Sequence, residues 1–229
     1  MKFGEAFSFA FRDLDWTKKM LIMVVVPLIP LIGPWILLGW SLEITRRIIQ
    51  KHPTPLPELD FSKNLMDGLK MVVVNLVYLL PIFLLVFVIA FSSVLLPLLD
   101  MGSKSDVPVF TLVMLVVVSC ILILEILYGL FMGVYLPVAY GRLAETGELK
   151  SAFEVKEVWA LLKAAPGDYL FCLFGSFISG IIAQAGMLLC GIGIFFTNPY
   201  IMTIMGNLYG QAHVQAVAKR SLATLPQAE

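Results

Sequence analysis

The chain has 229 residues, of which 59% are hydrophobic and 14% are charged, and its formal net charge at pH 7 is zero. A soluble domain would be about 45–50% apolar and about 25% charged, so the composition excludes an ordinary soluble protein. The apolar residues lie in long uncharged segments, which predicts an all-α polytopic integral membrane protein. The balanced charge indicates no nucleic-acid partner.

Five apolar segments follow one another along the chain, at residues 20–44, 71–99, 109–140, 169–189 and 192–209. A bilayer core of ~30 Å is crossed by about 20 helical residues. The second and third segments predict one transmembrane helical hairpin, joined by the short polar turn LDMGSKSDVP. The fourth and fifth predict another, joined by the glycine turn CGIG.

The first segment contains Pro27, Pro30 and the pair Gly33–Pro34, which interrupt a helix. If it turns back inside the membrane, both its ends share a side and Lys104 is left as the single basic residue outside, in agreement with the positive-inside rule. We therefore expect a short or re-entrant hairpin with both chain termini cytoplasmic. A single proline-kinked span is the alternative.

A loose internal repeat divides the single membrane domain 1–229 into three units, 1–52, 53–149 and 150–229. Each unit begins with an amphipathic stretch suited to a helix in the membrane interface and continues into a hairpin. The apolar stripes of these stretches are Phe3, Phe7 and Phe11; Phe61, Leu65 and Leu69; and Val155, Val158, Trp159 and Leu162.

Local signals predict where some helices begin. Ser151 and Glu154 have the spacing of a capping box. Asp15 and Asp168 each precede an aromatic residue and are expected to cap the helix that follows. The stretch KHPTPLPELD between the first two units predicts a rigid proline-rich linker.

Polar residues inside the apolar segments are the candidates for a site. Glu125 lies in the middle of ILILEILYGL, where a charge is costly, so it predicts either an ion or proton site or a structural carboxyl between helices. Asn198 precedes Pro199, where a helix break would free backbone carbonyls, although a simple kink is the commoner result. The candidate intramembrane polar site consists of Glu125, Asn75, Gln184 and Asn198.

Two small-residue motifs, Gly129-x-x-x-Gly133 and Gly206-x-x-x-Gly210, predict close helix packing. Cys120, Cys172 and Cys190 lie in apolar segments without metal-ligand spacing, so neither a disulfide nor a metal site is expected. Walker, HExxH, GxSxG and dinucleotide motifs are absent from the sequence. We expect no cofactor and no enzymatic activity.

Several stretches resemble a prokaryotic membrane family catalogued as domain of unknown function 4013. They are GEAFSFAFRDLDWTKKMLI, PLIPLIGPWILLGWSLEITRRII, LPELDFSKNLMDGLKMVVVNLVYLLP and SAFEVKEVWALLKAAPGDYL. The resemblance covers nearly the whole chain, and its most specific parts are the D-W-x-K-K entry, the Pro/Gly-rich first segment and the P-G-D-Y step. It implies a multi-pass protein of a prokaryotic cytoplasmic membrane and assigns no site residue.

Two functions fit these features. The first is a non-enzymatic membrane scaffold, organiser or accessory subunit, whose partners are the lipid bilayer and other membrane proteins or a second copy of the chain. The second is a small oligomeric transporter or channel with Glu125 in its path.

Overall fold

Every regular element in the described part of the chain is a helix, as the sequence predicts. The computed structural model describes residues 1–100, 107–188 and 191–224, with the backbone alone for 92–100, 107–114 and 224. Its α-helices are α1 (Phe3–Ser8), α2 (Trp16–Val25), α3 (Ile32–Ile49), α4 (Phe61–Asp100), α5 (Val107–Thr146), α6 (Val155–Ala164), α7 (Pro166–Leu188) and α8 (Gly193–Thr224).

Three stretches of these helices are long and apolar enough to cross a membrane: Phe61–Phe91 in α4, Leu115–Thr146 in α5 and Pro166–Leu188 in α7. They support the prediction of a multi-pass membrane protein. Of the second predicted hairpin, only α7 meets this criterion among the described residues. The polar turn LDMGSKSDVP lies largely outside those residues, as does Cys190 of the glycine turn.

The chain forms two compact units. The first contains Met1–Val74 and Gly133–Glu229, and the second contains Asn75–Met132. The charged clusters and the cavity described below belong to the first unit. The second unit contains the C-terminal part of α4 and the N-terminal part of α5, where the Tyr128 hydroxyl donates to the Tyr78 carbonyl at 2.5 Å.

The first apolar segment is two helices rather than one. α2 ends at Val25, a 3₁₀ turn covers Val26–Leu28, and Leu31 has a φ of 67° before α3 begins at Ile32. Gly33 packs so closely on this turn that a Cβ there would lie 2.2 Å from the Val26 carbonyl oxygen. Pro34 sits in the first turn of α3, where its missing N–H costs nothing. The break therefore precedes the Gly–Pro pair.

The two ends of this segment meet at the Leu56 carbonyl. Lys19, near the start of α2, donates to this oxygen at 2.9 Å, and Arg47, near the end of α3, donates to it at 3.4 Å. The Leu56 N–H donates to the Asp13 carboxylate at 3.1 Å, and the Leu56 side chain is fully buried. The predicted linker is thus a packed segment, and we call residues 51–60 the strap.

The long helices approach one another at small residues. A Cβ on Gly39 of α3 would lie 1.8 Å from the Asn64 carbonyl oxygen of α4, and one on Gly68 would lie 1.8 Å from the Trp35 carbonyl oxygen. On the other side of α3, the Thr45 hydroxyl donates to the Gly206 carbonyl of α8 at 3.1 Å. Contacts at small and hydroxyl residues are typical of helix packing in membranes.

The amphipathic stretches differ from the prediction. α1 ends at Ser8, and Phe11 belongs to a separate 3₁₀ turn. The stripe from Phe61 forms no helix of its own because α4 continues without interruption into the apolar segment. On α6, Val158 and Leu162 are buried, whereas Val155 and Trp159 are exposed.

The predicted capping box is wrong. Ser151 lies in a 3₁₀ turn, Leu149–Phe153, where its hydroxyl donates to the Glu148 carbonyl at 2.7 Å. Because α6 begins at Val155, Ser151 is not its N-cap residue, and Glu154 takes that position without a side-chain hydrogen bond. Asp15 also holds an N-cap position without such a bond.

Two further helix boundaries depart from expectation. Asp168 lies inside the first turn of α7, which begins at Pro166, so it is not the cap. α8 runs through Pro199 without a break, although proline has no N–H to donate to the carbonyl of Phe195 one turn earlier. Asp60 does cap a helix, since its carboxylate accepts the Lys63 N–H at 3.0 Å at the start of α4.

Gly39→Ala should destabilise the fold because the added methyl group meets a backbone carbonyl that has no room to move. Overpacking of this kind costs about 1–3 kcal/mol or more. Gly129→Ala is the matched control, since nothing lies within 4 Å of its Cβ position. Thermal unfolding in detergent, monitored by size-exclusion chromatography, should show a lower unfolding midpoint for Gly39→Ala and an unchanged midpoint for Gly129→Ala. Equal midpoints for the two variants would contradict the close contact between α3 and α4 at Gly39.

Candidate functional site

A buried charge cluster joins α3, α4 and α5. The Arg46 guanidinium contacts the Glu43 carboxylate, lies 2.9 Å from the Asp67 carboxylate and donates to the Ala144 carbonyl at 3.2 Å. The side chains of Arg46 and Asp67 are only 13% and 7% exposed. Because a buried charge without a partner is costly, each of these groups depends on the others.

Two lysines extend the cluster. Lys63 lies 2.9 Å from Glu43, and Lys70 donates to the Gly147 carbonyl at 2.8 Å. Burial lowers the pKa of Arg46, but the hydrogen bonds and charges of Asp67 and Glu43 outweigh burial and raise this pKa above its ordinary value. Arg46 therefore stays charged and ties the three helices together.

Asp13 organises the strap. Its carboxylate accepts Lys19 at 2.9 Å and the N–H groups of Leu56 and Asp15 at 3.1 and 3.0 Å. Burial raises the pKa of Asp13, but these hydrogen bonds outweigh burial and hold the pKa below its ordinary value. The carboxylate remains ionised at neutral pH and fixes the strap to α2.

A cavity of about 560 Å³ lies between the strap, the start of α2, the end of α3 and the start of α4. Its volume is in the range of small-molecule sites, ~300–1,000 Å³. The wall contains side chains of both charges and also Asn64, which is 1% exposed. Within the described part of the chain, the Asn64 Nδ2 atom has no hydrogen-bond partner. The cavity, with a buried and unpaired amide in its wall, is the candidate site of the first unit.

A second polar cluster lies where α5, α7 and α8 meet. His213 Nε2 is 3.1 Å from a Glu145 carboxylate oxygen, and Lys219 donates to Asp168 at 2.6 Å. His213 packs on Gly141, where a Cβ would lie 2.5 Å from the ring Nδ1 atom. This cluster is tightly filled and serves helix packing.

The predicted intramembrane polar residues are divided between the two units. Asn75 of α4 and Glu125 of α5 lie in the second unit, and Gln184 of α7 and Asn198 of α8 lie in the first. Glu125 is half-buried, and its Oε1 atom has no hydrogen-bond partner among the described residues. Gln184 is exposed, and Asn198 is half-buried.

The two glycine motifs differ in their surroundings. Gly206 and Gly210 of α8 face α3, with Cβ positions 2.6 Å from the Ser41 carbonyl oxygen and from the Ile48 Cβ atom. Gly133 faces Leu173 of α7 at 2.5 Å, whereas nothing lies within 4 Å of a Cβ on Gly129. Three of the four glycines thus lie at helix contacts of the first unit.

Sequence reasoning missed Arg46, Asp67, Asn64 and Asp13 as site residues. A usable signal was present in the i, i+3 spacings Glu43–Arg46 and Asn64–Asp67, which place two polar side chains on one helix face beside an apolar segment. Among the described residues, no group of three His, Cys, Asp or Glu side chains could hold a metal ion. Cys120 and Cys172 are free thiols.

Comparison with known proteins gives one result. The model of the family described as "Protein of unknown function (DUF4013)" matches residues 22–192, which confirms the resemblance drawn from the sequence. Neither the curated proteins nor the solved structures contain a significant match. The match includes the break in the first segment, the strap and the charge cluster around Arg46.

Arg46→Met should destabilise the protein because Glu43 and Asp67 lose their shared cation, while Lys63 and Lys70 still pair with them. A buried charge left without any partner costs about 3–5 kcal/mol, and the remaining lysines should keep the loss below that range. Arg220→Met is the control, because Arg220 pairs with Glu157 at an exposed position where such a pair contributes little. Thermal unfolding in detergent should distinguish the two variants, and an unchanged midpoint for Arg46→Met would refute the role of the cluster.

Proposed function

We propose that this chain, which belongs to the DUF4013 family, is a non-enzymatic integral membrane protein that acts as a scaffold or accessory subunit of a membrane complex. Its partners are the lipid bilayer and other membrane proteins or a second copy of the chain. The observation that carries this proposal is that charged side chains of the first unit pair with one another, whereas large apolar side chains are exposed along the helices that could cross the membrane.

Charged side chains in the first unit are largely engaged with one another. Arg46, Glu43 and Asp67 bind each other, and Asp13 is occupied by the strap. These groups stabilise helix contacts and leave little capacity for acid–base or nucleophilic chemistry. This use of charge supports a structural role.

Large apolar side chains, in contrast, are exposed along the helices that could cross the membrane. Phe87 of α4, Leu127 of α5 and Phe174 of α7 are 66%, 58% and 62% exposed. Such surfaces require lipid or the helices of another membrane protein. They support a protein whose role is exercised within the bilayer.

We place the protein in a prokaryotic cytoplasmic membrane, with the first apolar segment as a re-entrant hairpin and both termini cytoplasmic. α2 has ten residues and rises ~15 Å, about half of the bilayer core. The shared contact of Lys19 and Arg47 with the Leu56 carbonyl supports a return of the chain to the side it entered. The outer turn around Ser105 lies outside the described residues and remains part of this proposal.

A small oligomeric transporter or channel is the alternative function. It is favoured by Glu125, whose Oε1 atom is buried without a hydrogen-bond partner in the described part of the chain. An unsatisfied carboxyl inside an apolar segment is a candidate for proton or ion binding.

Reconstitution in proteoliposomes distinguishes the two functions. On the scaffold proposal, wild type and Glu125→Gln release protons and small cations no faster than protein-free liposomes, because no conducting path exists. Ser119→Ala, an exposed polar change on the same helix, is the control. A wild-type flux that falls in Glu125→Gln, but not in Ser119→Ala, at equal protein abundance would establish the transport alternative and reject the scaffold.

A further inference from the structure

The cavity beside the strap is lined by carboxylates that have no cationic partner. Asp15, Glu58 and Asp60 are exposed at its wall, and none of them forms an ion pair with any residue that the structure describes. Two other carboxylates of the wall, Asp13 and Glu43, are neutralised by lysine or arginine side chains. Four basic side chains also line this cavity, so five acidic side chains face four basic ones and a small excess of negative charge remains for a cationic group.

A neighbouring cavity of about 320 Å³ adds a cation and an apolar wall. It shares Asp15, Lys19 and Glu58 with the first cavity. Its other lining residues include Lys18, which is exposed and has no ion pair within the described residues, and the apolar side chains of Ile22, Met23 and Leu59. Charged and apolar side chains thus lie side by side in the lining of the second cavity.

The unused hydrogen-bonding groups point to an oxyanion as well as a cation. The Lys18 ammonium and the buried Asn64 amide are both donors without a partner in the described chain. A phosphate group accepts hydrogen bonds from such donors, and a primary ammonium donates to carboxylates. A ligand that carries both a phosphate and a primary ammonium would bind the unpaired donors and the unpaired carboxylates at the same time.

We propose that the two cavities together bind the headgroup of an ethanolamine phospholipid. The primary ammonium lies among Asp15, Glu58 and Asp60 of the first cavity, whose wall also contains Asn64, and the phosphate takes Lys18 of the adjoining second cavity. The acyl chains run along the apolar wall, where Ile22 is 39% exposed. The site requires the membrane location of α2 that the proposed function assumes, but it does not require the scaffold role.

The chemistry of the walls discriminates among phospholipids. A choline headgroup has no N–H to donate to the carboxylates, and a glycerol headgroup has no cation to neutralise them. A headgroup with net negative charge would meet three unpaired carboxylates and be repelled. Free phosphoethanolamine has the required polar groups but gains nothing from the apolar wall.

Native mass spectrometry in mild detergent tests the proposal with palmitoyl-oleoyl lipids of ethanolamine, choline and glycerol headgroups. Three carboxylate contacts at an exposed site should favour the ethanolamine lipid by about tenfold. The double variant Glu58→Gln/Asp60→Asn should remove this preference, and asparagine keeps the helix cap that Asp60 supplies. Lys18→Gln should weaken the binding of all three lipids.

Glu148→Gln, which removes an exposed carboxylate away from both cavities, is the matched control and should keep the preference. Equal retention of the three lipids, or strongest retention of the glycerol lipid, would overturn the site. If free phosphoethanolamine displaced the lipid when both are present at the same concentration, the ligand would be a soluble molecule. That result would likewise overturn the proposal. The liposome flux experiment does not depend on headgroup preference, so failures of the two proposals are distinguishable.

Discussion

The Leu56 carbonyl is the point on which the first unit depends. It accepts Lys19 from one end of the first apolar segment and Arg47 from the other. The Asp13 carboxylate fixes the same residue through its N–H, so both backbone groups of Leu56 are satisfied in a buried position. The start of α2 and the end of α3 are thereby held at the same strap residue, and the strap forms one wall of the cavity.

The charge cluster around Arg46 continues this arrangement into the long helices. Removal of charges from water is expensive, and the cost is offset only where geometry and hydrogen bonds are complete. Arg46 meets that condition, with contacts to Glu43, Asp67 and the Ala144 carbonyl. The close approach at Gly39 brings α3 and α4 near enough for these contacts. Small residues therefore allow α3 and α4 to lie close together, and the buried ion pairs of Arg46 stabilise that contact.

Sequence periodicity and composition predicted the helical class and the interruption of the first segment, because proline geometry and long apolar runs act locally. They could not predict the role of Leu56 or the pairing of Arg46 with Asp67, since both depend on residues far apart in sequence. The capping box at Ser151 failed for a local reason, because the residues Leu149–Phe153 form a 3₁₀ turn and α6 begins only after Glu154. At Pro199 the sequence left a helix break and a simple kink open, and α8 continues through this residue.

The proposed return of the first apolar segment to its side of entry is tested most directly by cysteine accessibility in intact cells. After replacement of Cys120, Cys172 and Cys190, single cysteines are introduced at Thr17 and Gln50, which are both exposed. An impermeant thiol reagent applied outside should label neither position, and both should react once the membrane is opened. Labelling of one position alone in intact cells would show that the segment crosses the bilayer and would contradict the account.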